Sequence, residues 1–225
     1  MSTETLPISS ISFLVEGKDE EIVCSKILAK CRKIKINKTD INGITKIIPA
    51  LSAALKDPEI QKIAVILDAD KNFDSIIESI CSNLKVNGFI FPKYKKNSGL
   101  ITNQVTSNIV TKKIVGVWIM PNHESNGMLE DFLINIIPQN DSQKNSVNEF
   151  LNKLEELELN LYNKDLHRSK AFIHCWLSIQ KSPGKPFGQA IDMNLFNLKT
   201  LSENSYLYHF LNWYDTLEKI EIVED

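Results

Sequence analysis

Neither GxxxxGK[ST] nor GxGxxG occurs anywhere in the 225 residues, so no glycine-rich loop is present to cradle a phosphate, and hydrolysis of the P-loop type is disfavoured. Charge of one sign is also lacking. The formal net charge is −2, so attraction to a polyanion would have to come from a local patch. The four cysteines, Cys24, Cys31, Cys81 and Cys175, form no CxxC pair and have no histidine at zinc-finger spacing. They read as small, reduced core residues. No apolar run approaches the roughly 20 residues of a bilayer span. The N-terminal MSTETLPISS lacks the basic start and apolar stretch of a signal peptide. The expectation is a cytoplasmic protein with no membrane association.

What is present is an alternation of short aliphatic runs and helical patterns. Ile11 to Val15 (ISFLV), Ile63 to Leu67 (IAVIL) and Ile114 to Met120 (IVGVWIM) are continuous apolar runs, as in strands buried on both faces. Phe89 to Phe91 adds a shorter candidate. Between these runs lie amphipathic helices. Ile22, Val23, Ile27 and Leu28 mark the first, and Ile44, Ile47, Ile48, Leu51 and Leu55 the second. Phe73, Ile76, Ile77, Ile80 and Leu84 mark the third. Such alternation predicts βαβ units, hence an α/β fold with a parallel sheet and helices on both faces.

Between Lys93 and Lys113 the pattern lapses into a polar insertion broken by Pro92 and Gly99. Past residue 138 the strand-like runs stop. Helical stripes follow at Val147–Leu157, Phe172–Ile179 and Leu207–Leu217. The expected organisation is an α/β core over residues 1–137 and a helical region over 138–225 packed on it as a C-terminal extension.

The acids fall at informative places. Glu16 directly follows the first strand, and Asp68 and Asp70 directly follow the second, with only Ala69 between them. In open parallel sheets, ligands bind beyond the carboxyl ends of the strands. Three carboxylates gathered there would repel one another unless their pKa values rise or a cation binds. An all-oxygen donor set suits Mg²⁺ or Mn²⁺ over zinc or copper. The alternative for each acid is a turn or capping role.

The order of strand, Glu-Gly, helix, strand, Asp-x-Asp, helix resembles the Toprim domain, carried here by FLVEGKDE (Phe13 to Glu20) and VILDAD (Val65 to Asp70). That domain occurs in type IA and II topoisomerases, bacterial primases, overcoming-lysogenization-defect nucleases and ribosomal-RNA maturation ribonucleases. The resemblance implies that Glu16 serves in acid/base or metal chemistry and that Asp68 and Asp70 hold Mg²⁺. It also sets Asp19 and Glu20 where the nuclease branch often carries a further acid on the first helix turn. A helix start favours acids in any case. The segment PNHESNGMLED after the third strand, with Lys170-Ala171 and Gly188-Gln189-Ala190, is similar to an uncharacterised Toprim-like family of small stand-alone prokaryotic proteins. By that resemblance Glu130 would ligand a second ion, as third-strand acids do in Toprim nucleases. Its alternative is a helix start capped by Ser125, with Glu124, Glu130 and Asp131 in the first turns.

Three further features stand beside these. Lys170 is a candidate to steady a phosphoryl group. His123, in the loop beside the third acidic cluster, is a candidate general acid. Pro92 to Lys96 (PKYKK) with Lys112-Lys113 forms the one basic cluster expected near the rim, where lysines could contact phosphates and Tyr94 stack a base; solvated lysines in a loop are the plainer account. The expected function is a Mg²⁺- or Mn²⁺-dependent nuclease acting on DNA or RNA. The alternatives are a non-catalytic binding or regulatory module that keeps the metal site, and a nucleotide phosphohydrolase. The expected partner is nucleic acid, with a homodimer or a separate partner protein also open.

Overall fold

The computed structural model describes residues 6–40, 46–91, 97–105, 112–199 and 202–222. Six strands form one mixed, mostly parallel sheet: β1 (Ile8–Val15), β2 (Lys35–Asp40), β3 (Lys62–Asp68), β4 (Phe89–Ile90), β5 (Leu100–Gln104) and β6 (Ile114–Met120), in the order β2-β1-β3-β6-β5-β4. β2, β1, β3 and β6 run parallel to their neighbours, whereas β5 is antiparallel to both β6 and β4. The three continuous aliphatic runs occupy the three adjacent inner positions, and all seven residues of β6 are buried.

The two-residue period of a strand sends alternate side chains to opposite faces. One set, including Phe13, Val15, Ala64, Ile66, Trp118 and Met120, packs with α1 (Lys18–Arg32), α4 (Leu129–Asn135), α5 (Ser142–Glu156), α6 (Lys164–Ser178), α7 (Phe187–Asp192) and α8 (Tyr206–Lys219). The other, including Leu14, Val65, Leu67, Val117 and Ile119, packs with α2 (Ile47–Lys56) and α3 (Phe73–Val86). Helices therefore cover both faces, six against one and two against the other among the described residues. Trp118, Trp176 and Trp213 lie in the first of these cores, none more than 1% exposed.

Capping residues stop and start the helices that carry the later argument. Asn72 accepts from the Ser75 N–H at the start of α3, Asp141 from the Gln143 and Lys144 N–H groups of α5, and Asn163 from the Asp165 N–H of α6. The guanidinium of Arg32, at the end of α1, donates to both carboxylate oxygens of Asp215 in α8 at 2.6 and 2.7 Å. Lys26 reaches Asp192 at the end of α7 at 2.6 Å. These contacts fasten the C-terminal helices to the first helix of the sheet.

Two expectations need correction, and one strand was not foreseen. The segment between Lys93 and Lys113 is not wholly irregular, because residues 100–104 form β5. KINKTD (Lys35–Asp40) forms β2, which no apolar run announced, since an edge strand lies open on one side and tolerates polar residues. The expected α/β sheet with helices on both faces is present, its β4–β5 hairpin returning antiparallel beside β6. Lys113 stands at the amino end of β6, roughly 20 Å along the strand from its carboxyl end at about 3.3 Å per residue. It is wholly buried, its ammonium donating to the carbonyls of Asp57 and Ile60, so it belongs to no basic rim. Ile44 and the cluster Pro92 to Lys96 lie outside the described residues. No helix among the described residues is long and apolar enough to cross a membrane.

Candidate functional site

β1, β3 and β6 are neighbours and parallel, so their carboxyl ends open on one edge of the sheet. Glu16 follows β1, Asp68 ends β3, and the loop after β6 leads into α4 with Glu130 in its first turn. Glu20 enters from the first turn of α1. A carboxylate oxygen of Glu16 accepts from the Asp68 backbone N–H at 3.2 Å, and Oδ1 of Asp68 accepts from the Leu129 N–H at 3.0 Å. The first and third loops are thus tied through the second.

Asp70 takes a left-handed conformation, φ +48°, which aspartate tolerates better than most residues. Its N–H donates to the Gly127 carbonyl at 2.8 Å, and the Gly127 N–H returns a bond to the Asp70 carbonyl at 2.9 Å. Gly127 has φ +139°, and a Cβ there would lie 2.8 Å from Oδ2 of Asp131 and 3.0 Å from Pro121. The staple between the two loops therefore needs glycine. Gly17 bears on the site in a different way. A Cβ on it would come within 2.3 Å of the Glu20 carboxylate, so its bare backbone lets that acid fold back towards the strand ends.

The electrostatics show how closely the acids share a field. Burial, followed by the charges of Glu20, Glu16, Glu130 and Asp70, pushes the Asp68 carboxyl up to about 9. Burial is likewise the first cause that raises Glu20, with Glu16, Glu130 and Asp19 adding to it against a backbone hydrogen bond that lowers it. The charge of Asp68 also helps to raise the Cys24 thiol, after burial and Glu20. Lys170 of α6 approaches the buried Glu130 carboxylate at 3.4 Å and supplies a positive charge at this edge. Among the described residues no three acid, histidine or cysteine side chains are already drawn to metal-ligating geometry. The carboxylates share a field without closing on a common point.

Other candidates fall elsewhere. Asp131 turns away from the rim: Oδ2 accepts from the Met128 N–H at 2.9 Å, and Oδ1 from the Ser169 hydroxyl. It is Asp131, from inside the helix, that holds the start of α4. Ser125 is not its cap, since its own N–H and hydroxyl donate to Asn122 Oδ1. His123 is fully buried, its ring set against Phe73 and Trp118, and Nδ1 accepts from the Ile119 N–H at 3.0 Å. Burial drives its pKa down to about 3, so it stays neutral and holds the β6 loop, which overturns the general-acid expectation. The four cysteines form no disulfide, and burial raises each thiol, which keeps them inert.

Beside Asp70 the rim continues into a cleft of about 460 Å³ between the two stapled loops and the start of α6. Lys71 and Asn126 line one side, and Lys164, Arg168 and Ser169 the other. Sequence reasoning did not single out this cleft. Lys71 carries no signal beyond following DAD. The α6 stripe at Phe172 and Cys175 marks a buried face without saying which strand end the helix start overhangs.

The fold is thus an α/β sheet with an acidic edge at the carboxyl ends of its inner strands. The family model described as Protein of unknown function (DUF3226) matches residues 11–219, and the chain belongs to that family. No curated protein and no solved structure matches it.

Proposed function

We propose that this protein is a divalent-metal-dependent nuclease that cleaves phosphodiester bonds of DNA or RNA through its acidic strand-end site. The observation that carries the reading is the gathering of Glu16, Glu20, Asp68, Asp70 and Glu130 at one strand-end edge, where burial first and the neighbouring carboxylates after it push Asp68 up to about 9. So much mutually repelling charge at the ligand-binding edge of a parallel sheet is a cost that a hard cation relieves. The Toprim-like order of Glu16 and the Asp68–Asp70 pair, on adjacent strands, supports the same reading.

The donor set fits Mg²⁺ or Mn²⁺, because it is all oxygen and spread over three loops. Asp68, Asp70 and Glu130 would hold the metal, with Glu20 behind them. A bound divalent ion would polarise the phosphate and lower the pKa of the attacking water. The chain's own groups do the rest. Glu16, whose carboxylate is oriented by the Asp68 N–H, takes the proton of the attacking water. Lys170, half exposed above Glu130, is positioned to turn its ammonium from that carboxylate to a phosphate oxygen. Asp68 gives up its proton as cation binds, so affinity rises with pH.

Calorimetric titration with Mn²⁺, together with cleavage of mixed DNA and RNA by the parent, Asp68→Ala and Asp70→Ala, tests the reading. The expected outcome is metal-dependent cutting that falls about a hundredfold or more in each variant. Equal cutting by parent and both variants would overturn it. A second reading, a binding module that keeps its carboxylates without turnover, draws on the Lys170–Glu130 pair, which already neutralises one acid. Mn²⁺ binding without cleavage would select that module.

A further inference from the structure

The acidic edge can account for one phosphate, but the molecule continues past it. The cleft beside Asp70 has a volume of about 460 Å³, within the size of ordinary small-ligand pockets. Its walls come from different parts of the chain. The loop after β3 gives Asp70 and Lys71, the loop after β6 gives Asn126 to Met128, and the first turns of α6 give Lys164, Arg168 and Ser169. The helical region thereby completes a groove that the sheet only begins.

Most of the charge in this groove is already committed. Arg168 pairs with Glu155 at 3.1 Å and donates to Asn152 at 2.7 Å. Asp131 holds the Met128 N–H and the Ser169 hydroxyl. Asp165 lies in the first turn of α6, where the helix dipole favours an acid. Lys71 and Lys164 differ: both are exposed, and neither has an ion pair or hydrogen bond among the described residues. Both line the groove, one immediately after Asp70 and the other at the start of α6. Two uncommitted lysines lining a cleft that Asp70 of the acidic edge also lines suit a ligand that carries a second phosphate.

Resting on the nuclease reading, we propose that this cleft seats the nucleotide next to the scissile phosphate, with its own phosphate held between Lys71 and Lys164. A cleft of about 460 Å³ has room for one unpaired nucleotide and not for a base pair with its second strand. The substrate is therefore an unpaired strand at least two phosphates long. Contact runs through phosphates, with Met128 and Leu166 as the apolar lining and no aromatic ring among the described lining residues, so recognition is independent of sequence.

Binding of a fluorescent single strand of about 12 nucleotides, in EDTA and across a salt series, tests the proposal. The parent is compared with Lys71→Ala/Lys164→Ala and with Lys56→Ala/Lys199→Ala, which removes the same charge at the opposite end of the sheet. Both pairs are exposed, so folding is spared. The cleft pair should weaken binding about tenfold and reduce the salt slope by about 1.4, two phosphate contacts at about 0.7 each. The control pair should leave both near the parent values. The proposal falls if the two double variants behave alike, if a duplex binds as well as the single strand, or if a nucleoside monophosphate binds as tightly as the oligonucleotide. Mn²⁺ titration separates the two readings. Loss of oligonucleotide binding in the cleft pair with no Mn²⁺ heat in the parent sinks the nuclease and spares the cleft. Mn²⁺-dependent cutting with an indifferent cleft pair does the reverse.

Discussion

The two ends of the inner strands each bury charge, but in opposite ways. At the amino end, Lys113 is wholly buried and meets the carbonyls of Asp57 and Ile60. Burial lowers its pKa, yet fixed backbone dipoles satisfy its protons, and the charge is complete without a ligand. At the carboxyl end, Asp68 is pushed to about 9 first by burial and then by four other carboxylates. One end solves its electrostatics internally and is structural. The other leaves repulsion that protons or a cation remove, which makes it the candidate site.

The sharpest break in this comparison is Asp68→Asn. The amide keeps an oxygen for the Leu129 N–H while removing the charge. Mn²⁺-dependent cleavage should drop about a hundredfold or more, while the metal-free melting midpoint rises by on the order of 2–4 °C, the shift that about 1 kcal/mol gives a chain of this size. A lower midpoint would mean that Asp68 is a structural residue like Lys113. The mirror-image change, Lys113→Met, should cost about 1–3 kcal/mol by leaving two carbonyls without a donor, and should leave Mn²⁺ affinity unchanged. Denaturant unfolding and calorimetry read the two effects separately.

A smaller effect lies in pH. With Asp68 raised to about 9, the folded state holds a proton that the unfolded chain has lost above about 4, so stability contributed there declines as pH rises. His123, lowered to about 3, works in the opposite direction below its unfolded value of about 6.5. Between about pH 7 and 8 His123 is neutral in both states, and the metal-free midpoint should fall. Adding Mn²⁺ or substituting Asp68→Asn should flatten that slope. An identical slope in parent and variant would remove Asp68 from the account.

The smallest expected change is Gly17→Ala. The methyl group would displace the flexible Glu20 carboxylate and not the backbone, so stability should move by no more than about 0.5 kcal/mol. Mn²⁺ affinity should weaken by a few-fold in the same calorimetric titration. Unchanged affinity would place Glu20 outside the metal's reach.

The inner strands were legible because burial on both faces demands unbroken aliphatic runs, as in IAVIL and IVGVWIM. Glu16, Asp68 and Asp70 were legible because a strand's end in sequence is also its end in space. The edge strand KINKTD was not, since one open side relaxes the demand for apolar residues, and LITNQ was not, since its polar and apolar residues alternate with no continuous run. His123 misled for a related reason. Its spacing sets it beside the third acidic cluster, while its direction depends on how the loop after β6 turns.

The sequence by itself determined the α/β alternation and set Glu16 and the Asp68–Asp70 pair at strand ends, because the strand period and the buried run are local properties of the chain. Only the tertiary structure decided that β1, β3 and β6 are neighbours, that Glu130 joins the rim while Asp131 leaves it, and that Lys71 and Lys164 face one cleft. Those facts depend on strand order and on helix placement across more than a hundred residues. Long-range packing sets both, and no short window of sequence contains it.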